Sequence, residues 1–139
     1  MSRADEPDNR KGNRTMPKYV KDNSTHATRA LQIYVVLIGL AANRQTIQYR
    51  ELSAIMNYGV GPILAHPLGL LMAWCAHNKQ PALTSIVVEK ETGLPSTGLS
   101  TVANSKVPAE QQRVFSYPWY TIFPPNIDEL DGFASRNAA

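Results

Sequence analysis

The chain has 139 residues, a length that fits one domain plus a tail. Its hydrophobic share of 43% is that of a globular protein, and its longest apolar run, IYVVLIGLAA at 33–42, is shorter than the roughly 20 residues needed to span a bilayer. The single cysteine, Cys75, excludes an internal disulfide and fits a reducing cytoplasm, where the chain is expected.

The formal net charge of +3 is unevenly placed. Residues 1–30 hold seven bases (Arg3, Arg10, Lys11, Arg14, Lys18, Lys21, Arg29) against four acids (Asp5, Glu6, Asp8, Asp22), and the remainder carries seven of each. Residues 1–24 have almost no periodic apolar residues and no apolar h-region. They predict a disordered basic tail without a secretion signal. Such an arm can track phosphates or an acidic partner, or simply keep the protein soluble.

Ser24 or Thr25 can cap a helix that follows. Ala30, Ile33, Tyr34, Leu37, Ile38 and Ala41 share one face of it at helical spacing. Val35, Val36 and Leu40 make the other face apolar too, and a helix apolar all round is buried or lies in an interface. The β-branched QTIQY allows a short strand. YRELSAIMNY predicts a helix with Leu52, Ile55 and Met56 on one face. GVGPILAHP predicts a turn or short helix near 59–66, with Pro67 in the first turn of the next helix. In that helix Leu68, Leu71, Met72, Cys75 and Ala76 form the expected apolar stripe. Asn78 and Lys79 suit its end, and Pro81 stops it.

LTSIVVEK, 83–90, is β-rich and predicts a strand. ETGLPSTG reads as a turn and LSTVA, 99–103, as a returning strand. Pro108 opens a helix with Glu110 in its first turn and Val114 and Phe115 inward, ended or bent by Pro118. A last short helix follows Pro124 and Pro125. Residues 134–139 are expected to be disordered. The fold class is therefore α+β and mostly helical. It has a winged helix–turn–helix-like core over 25–133, a small β-hairpin wing, and extra helices at both ends. In that arrangement the second helix enters a DNA groove and the wing touches the backbone.

Three stretches also resemble a known family. TIQYRELSAI matches its threonine–x–x–tyrosine strand and following helix. AHNKQPALTSIVV matches its helix-ending asparagine and short turn into a strand, and VVEKETGLPSTGL matches its glycine-bearing wing. On these motifs residues 46–99 resemble the C-terminal domain of O6-alkylguanine-DNA alkyltransferases and alkyltransferase-like proteins. That domain's proline–cysteine–histidine–arginine box falls near Leu83, Thr84, Ser85 and Ile86, where there is no thiol and no histidine to activate one. Its intercalating arginine falls in GPILAHPLG, which has none. Alkyl transfer is not expected, and Cys75 reads as apolar packing.

No other chemistry stands out. His26, His66 and His77 are scattered, with Pro67 set to interrupt any single helix between the last two. No metal site and no cofactor are expected. DELD at 128–131 reads as a solvated face. GVG at 59–61 lacks the strand and lysine of a nucleotide loop. The chain is expected not to be an enzyme.

Two functions remain. The first is weak DNA binding through phosphate contacts from the arm, the wing and Arg44, Gln45, Tyr49, Arg50, Lys79 and Lys90. Between 59 and 77 there is no Arg, Lys, Asn or Gln to read bases. The second is protein interaction or homodimerisation through Trp74, Trp119, Tyr120 and Phe123, among the aromatics Phe115, Tyr117, Trp119, Tyr120 and Phe123. That cluster can also serve as a lid on the core.

Overall fold

The computed structural model describes residues 26–58, 64–95 and 102–138, with side chains described as far as Ala134. The expected tail at 1–24, the caps Ser24 and Thr25, the 59–63 turn and most of the LSTVA segment lie outside the described residues. The elements in order are α1 (His26–Ala42), β1 (Ile47–Gln48), α2 (Tyr49–Ile55), α3 (Ala65–His77), a 3-10 turn Leu83–Ile86, β2 (Val87–Val88), a 3-10 turn Asn104–Lys106, α4 (Val107–Ser116), a 3-10 turn Trp119–Thr121 and α5 (Ile127–Ala138). The protein is mostly helical with one small sheet, as its composition and periodicities predict.

α1 is the central helix. Its predicted face, Ala30, Ile33, Tyr34, Leu37, Ile38 and Ala41, is buried against α3, α5, α4 and the 83–86 turn. Tyr34 sits in the middle, edge-on to Trp74 at 5.5 Å and to Trp119 at 6.4 Å. Such aromatic pairs add about 0.5–1.5 kcal/mol each beyond the area they bury. The Trp119 indole N–H donates to the Val114 carbonyl at 2.8 Å, which ties the 119–121 turn to the end of α4. α1 and α3 run in the same direction. His26 stacks on His66 at one end, and the same interval further along both helices Tyr34 meets Trp74.

Several predicted details are corrected. Ile55 is 57% exposed, because α2 ends there and only Leu52 and Met56 point inward. The buried stripe of α3 is Pro67, Leu68, Leu70, Leu71, Trp74 and Cys75. Met72 is half-buried and Ala76 exposed, so the helix is rotated from the expected register. Pro67 does not separate His66 from His77: it occupies the first turn of α3, where no N–H is required of it, and both histidines share that helix. α5 runs from Ile127 to Ala138.

The predicted strand 83–90 is mainly a 3-10 turn, with only Val87 and Val88 extended. Every residue from Leu83 to Val88 is buried. β-branched residues fill such a segment whatever its backbone, which is why it read as a strand. Ala82 N–H donates to the buried Glu110 carboxylate on α4 at 2.7 Å, and Ser85 N–H donates back to the Ala82 carbonyl at 2.9 Å, which coils the chain there. β2 pairs with β1, Ile47 opposite Val87, and the pairing is parallel. The chain does reverse beyond β2: Glu89 N–H donates to the Leu94 carbonyl at 2.9 Å, with Gly93 at φ 68° supplying the left-handed residue the turn requires. No antiparallel strand pair is present among the described residues.

α1, α2 and α3 share one way of stopping. Gln45, Tyr58 and Gln80 N–H groups reach back to the Leu40, Ser53 and Cys75 carbonyls, closing each helix with a left-handed residue. Those residues are Arg44 (φ 56°), Asn57 (φ 63°) and Lys79 (φ 56°). Asparagine tolerates this conformation, whereas lysine and arginine are strained by roughly 1–2 kcal/mol. Lys79→Gly is therefore expected to raise the unfolding free energy in urea by roughly 0.5–1 kcal/mol. A decrease would mean that the cation at this helix end outweighs the strain.

Candidate nucleic-acid interface

The expected phosphate contacts fall into two groups. The parallel register of β1 and β2 carries Arg50 and Lys90 just beyond the same ends of the two strands, and both are exposed. Tyr49, the first residue of α2, is half-buried beside them, and burial pushes its phenol pKa up. Gln48 caps α2 reciprocally with Glu51, whose carboxylate accepts from Gln48 N–H at 2.9 Å. Arg44, Gln45 and Lys79 belong to the second group, at the C-terminal ends of α1 and α3. All three side chains are exposed or partly so, and Arg44 Nη1 donates to Gln112 Oε1 on α4 at 3.2 Å.

The outward face of α3 holds Ala65, His66, Gly69, Met72, Ala73, Ala76 and His77. Its inward face packs on α1 and α5. The helix is therefore half core and half open surface, and the open half presents histidine as its only polar side chain.

The expected interface aromatics divide as well. Trp74 and Trp119 are core residues, each 3% exposed, so they offer the surface nothing; Tyr120 at 68% and Phe123 at 93% point into solvent. Tyr120 lies over α1, its hydroxyl 3.7 Å from where a Cβ on Gly39 would stand. The aromatic cluster thus divides: Trp119 covers the core, while Tyr120 and Phe123 are exposed.

The residues at the family's cysteine-box positions, Leu83 to Ile86, are fully buried, and Ser85 Oγ has no hydrogen-bond partner among the described residues. Cys75 is buried nearby. Desolvation pushes its thiol pKa up to about 11, the Leu83 backbone partly offsets this by hydrogen bonding to the sulfur, and Glu110 adds to it. At neutral pH it is a thiol, and unreactive. Among the described residues no group of three or more histidine, cysteine or acidic side chains is arranged for a metal ion.

Two features escaped the sequence reading. Arg29, counted there with the basic tail, belongs to α1 and is buried. His26 and His66 are not scattered: their rings stack at 4.7 Å with 19° between planes. Arg29 was legible as the only charge in α1, while the histidine pair depends on α1 and α3 being parallel, which no local pattern reveals. No family model, curated protein or solved structure matches the chain.

The His26 pKa is lowered from 6.5, first by burial and second by His66. A folded-state pKa below the unfolded one means that the unfolded chain binds the proton more readily. The stability contributed is complete above the ordinary histidine range and is lost as pH falls through it. Melting temperature is expected to drop between about pH 7.5 and pH 5, and less steeply in His26→Gln. An equal slope in both proteins would remove His26 from this account.

Proposed function

We propose that the protein is a non-enzymatic nucleic-acid-binding module, with a helix–turn–helix-like α2–α3 segment and a wing-like turn after β2, that binds DNA weakly through phosphates. The observation that carries this is the disposition of charge. Glu51 and Glu129 are committed to capping backbone N–H groups, and Glu110 holds Ala82 N–H together with Arg113 at 2.7 Å. Arg113 is the only cation with an ion pair among the described residues. Among the described residues Arg44, Arg50, Lys79, Lys90 and Lys106 therefore stand exposed without a carboxylate partner. Free surface cations are what a phosphate backbone recruits, and an α3 face without Arg, Lys, Asn or Gln implies little discrimination between sequences.

In an electrophoretic-mobility or anisotropy titration with any duplex, affinity is expected to fall steeply with salt, by a log–log slope of about 0.9 per phosphate neutralised. Arg50→Ala is expected to flatten that slope by about one contact, and removing residues 1–24 as well should abolish the shift. The absence of any shift at low salt would end this reading.

A second reading, protein interaction or self-association on the same fold, is favoured by Phe123. A phenylalanine 93% exposed beside an exposed Tyr120, on a turn bracketed by Pro118, Pro124 and Pro125, is an unused aromatic anchor. Sedimentation velocity is expected to show a dimer in this case and a monomer for Phe123→Asp. A native chain that sediments as a clean monomer counts against it.

A further inference from the structure

Two sets of exposed groups take no part in the core. One is a pair of rings: Tyr120 is 68% and Phe123 93% exposed. The other is the cations Arg44 and Lys79, at the C-terminal ends of α1 and α3. The fold brings the two sets together. The Tyr120 hydroxyl stands 3.7 Å from the Cβ position of Gly39, and Arg44 lies five positions further along the same segment. Arg44 Nη1 donates to Gln112 Oε1 at 3.2 Å, and Gln112 belongs to α4, which leads into the turn that carries the rings. Because α1 and α3 are parallel, Lys79 ends α3 on the side where Arg44 ends α1.

That turn is held in several ways. Trp119 is buried, and its indole N–H donates to the Val114 carbonyl at 2.8 Å. Thr121 donates twice to the Pro118 carbonyl, from its N–H at 3.0 Å and from Oγ1 at 2.8 Å. Ile122 packs on the core and Pro125 is buried. Tyr120 and Phe123 are thus held outward by anchored neighbours, so docking on them requires little ordering.

The charge beside the rings decides what fits them. Among the described residues Arg44 and Lys79 have no carboxylate partner, and Gln112 leaves the Arg44 charge intact. Asp128 and Glu129, the next acids along the chain, stand in the first turn of α5, and Glu129 accepts from Asn126 N–H at 3.0 Å. The positive end of that helix offsets part of their charge. Open rings next to unneutralised cations suit a ligand with flat apolar groups and repeated negative ones, which describes bases on a phosphate backbone. In a duplex the bases cover one another's faces; in a single strand the faces are open to stack on aromatic side chains.

We propose that this face binds single-stranded DNA, with unpaired bases stacked on Tyr120 and Phe123 and the backbone phosphates drawn to Arg44 and Lys79. The inference rests on the nucleic-acid reading and narrows its substrate from duplex to single strand. It also accounts for an α3 face without Arg, Lys, Asn or Gln, since stacking accepts any base and needs no reader.

The test is an anisotropy titration of the full chain at low salt, with a labelled oligothymidylate and with a labelled duplex of the same length. The oligothymidylate is expected to bind at least about tenfold tighter. Phe123→Ala and Tyr120→Ala, both exposed changes, are each expected to weaken the single strand by about fivefold or more and the duplex by less than about twofold. Phe123→Trp keeps a stacking ring and should retain native affinity. Arg44→Gln is expected to lower the salt slope of single-strand binding by about 0.7, the loss of one phosphate contact. A duplex bound as tightly as the oligothymidylate, with both alanine variants unchanged, overturns the platform and leaves the nucleic-acid reading standing. Binding of neither probe ends both. If Phe123→Ala abolishes self-association in sedimentation velocity and leaves oligothymidylate binding untouched, the rings belong to a second copy of the chain and the platform is likewise overturned.

Discussion

The parallel contact between α1 and α3 organises this protein. Two helices that run the same way cannot be joined by a short turn, so the chain must return to its starting end before α3 begins. Residues 43–64 make that return and contain β1 and α2. The way out of α3 is constrained in the same manner. The 83–86 turn is pinned beneath α4 by Glu110, and β2 then falls alongside β1 in parallel register. The sheet is parallel because the helices are. α2 is left leaning on the strand pair, its principal neighbour.

Parallel alignment also has an electrostatic consequence, and the two ends of the pair treat it differently. At the C-terminal ends the negative dipole poles meet Arg44 and Lys79. Both occupy left-handed positions where glycine would be unstrained, so a cation is held there against a backbone cost. A cation near a helix C-terminus recovers part of that, typically 0.3–1 kcal/mol. At the N-terminal ends no acid stands in the first turn of α1 or α3 among the described residues, although α2 and α5 both carry one there.

How much of this could be read from the residues follows from the range of the forces involved. α1, α4 and the start of α5 are legible because apolar spacing, Pro108 and the Pro124–Pro125 pair act within a turn or two. Pro67 was placed correctly in a first turn, yet its effect on the histidines was misjudged, since a proline there leaves the helix beyond it intact. Ile55 and Ala76 were assigned to buried faces by spacing alone, but where a helix stops and how it is rotated depend on its neighbours. The 83–90 segment failed for a different reason. With both faces buried it has no alternation to read, and its backbone is set by one hydrogen bond to Glu110, 28 positions away from Ala82 in sequence. Among the candidate contacts, Arg50 and Lys90 follow the same ends of the two strands only because the register is parallel, and Trp74 and Trp119 are buried edge-on to Tyr34.

The resemblance of residues 46–99 to the alkyltransferase domain meets its severest constraint at the 83–86 turn. A nucleophile there would need solvent access, a depressed pKa and a base within reach. This chain instead buries the whole turn, and the one thiol in the region is pushed toward a higher pKa and sits against the Leu83 backbone. A buried carboxylate beside such a turn could orient a base, but here its two oxygens are taken by Ala82 N–H and Arg113. Glu110 is thereby consumed in holding the turn in place. On the outside, among the described residues, stand exposed cations and the exposed rings of Tyr120 and Phe123.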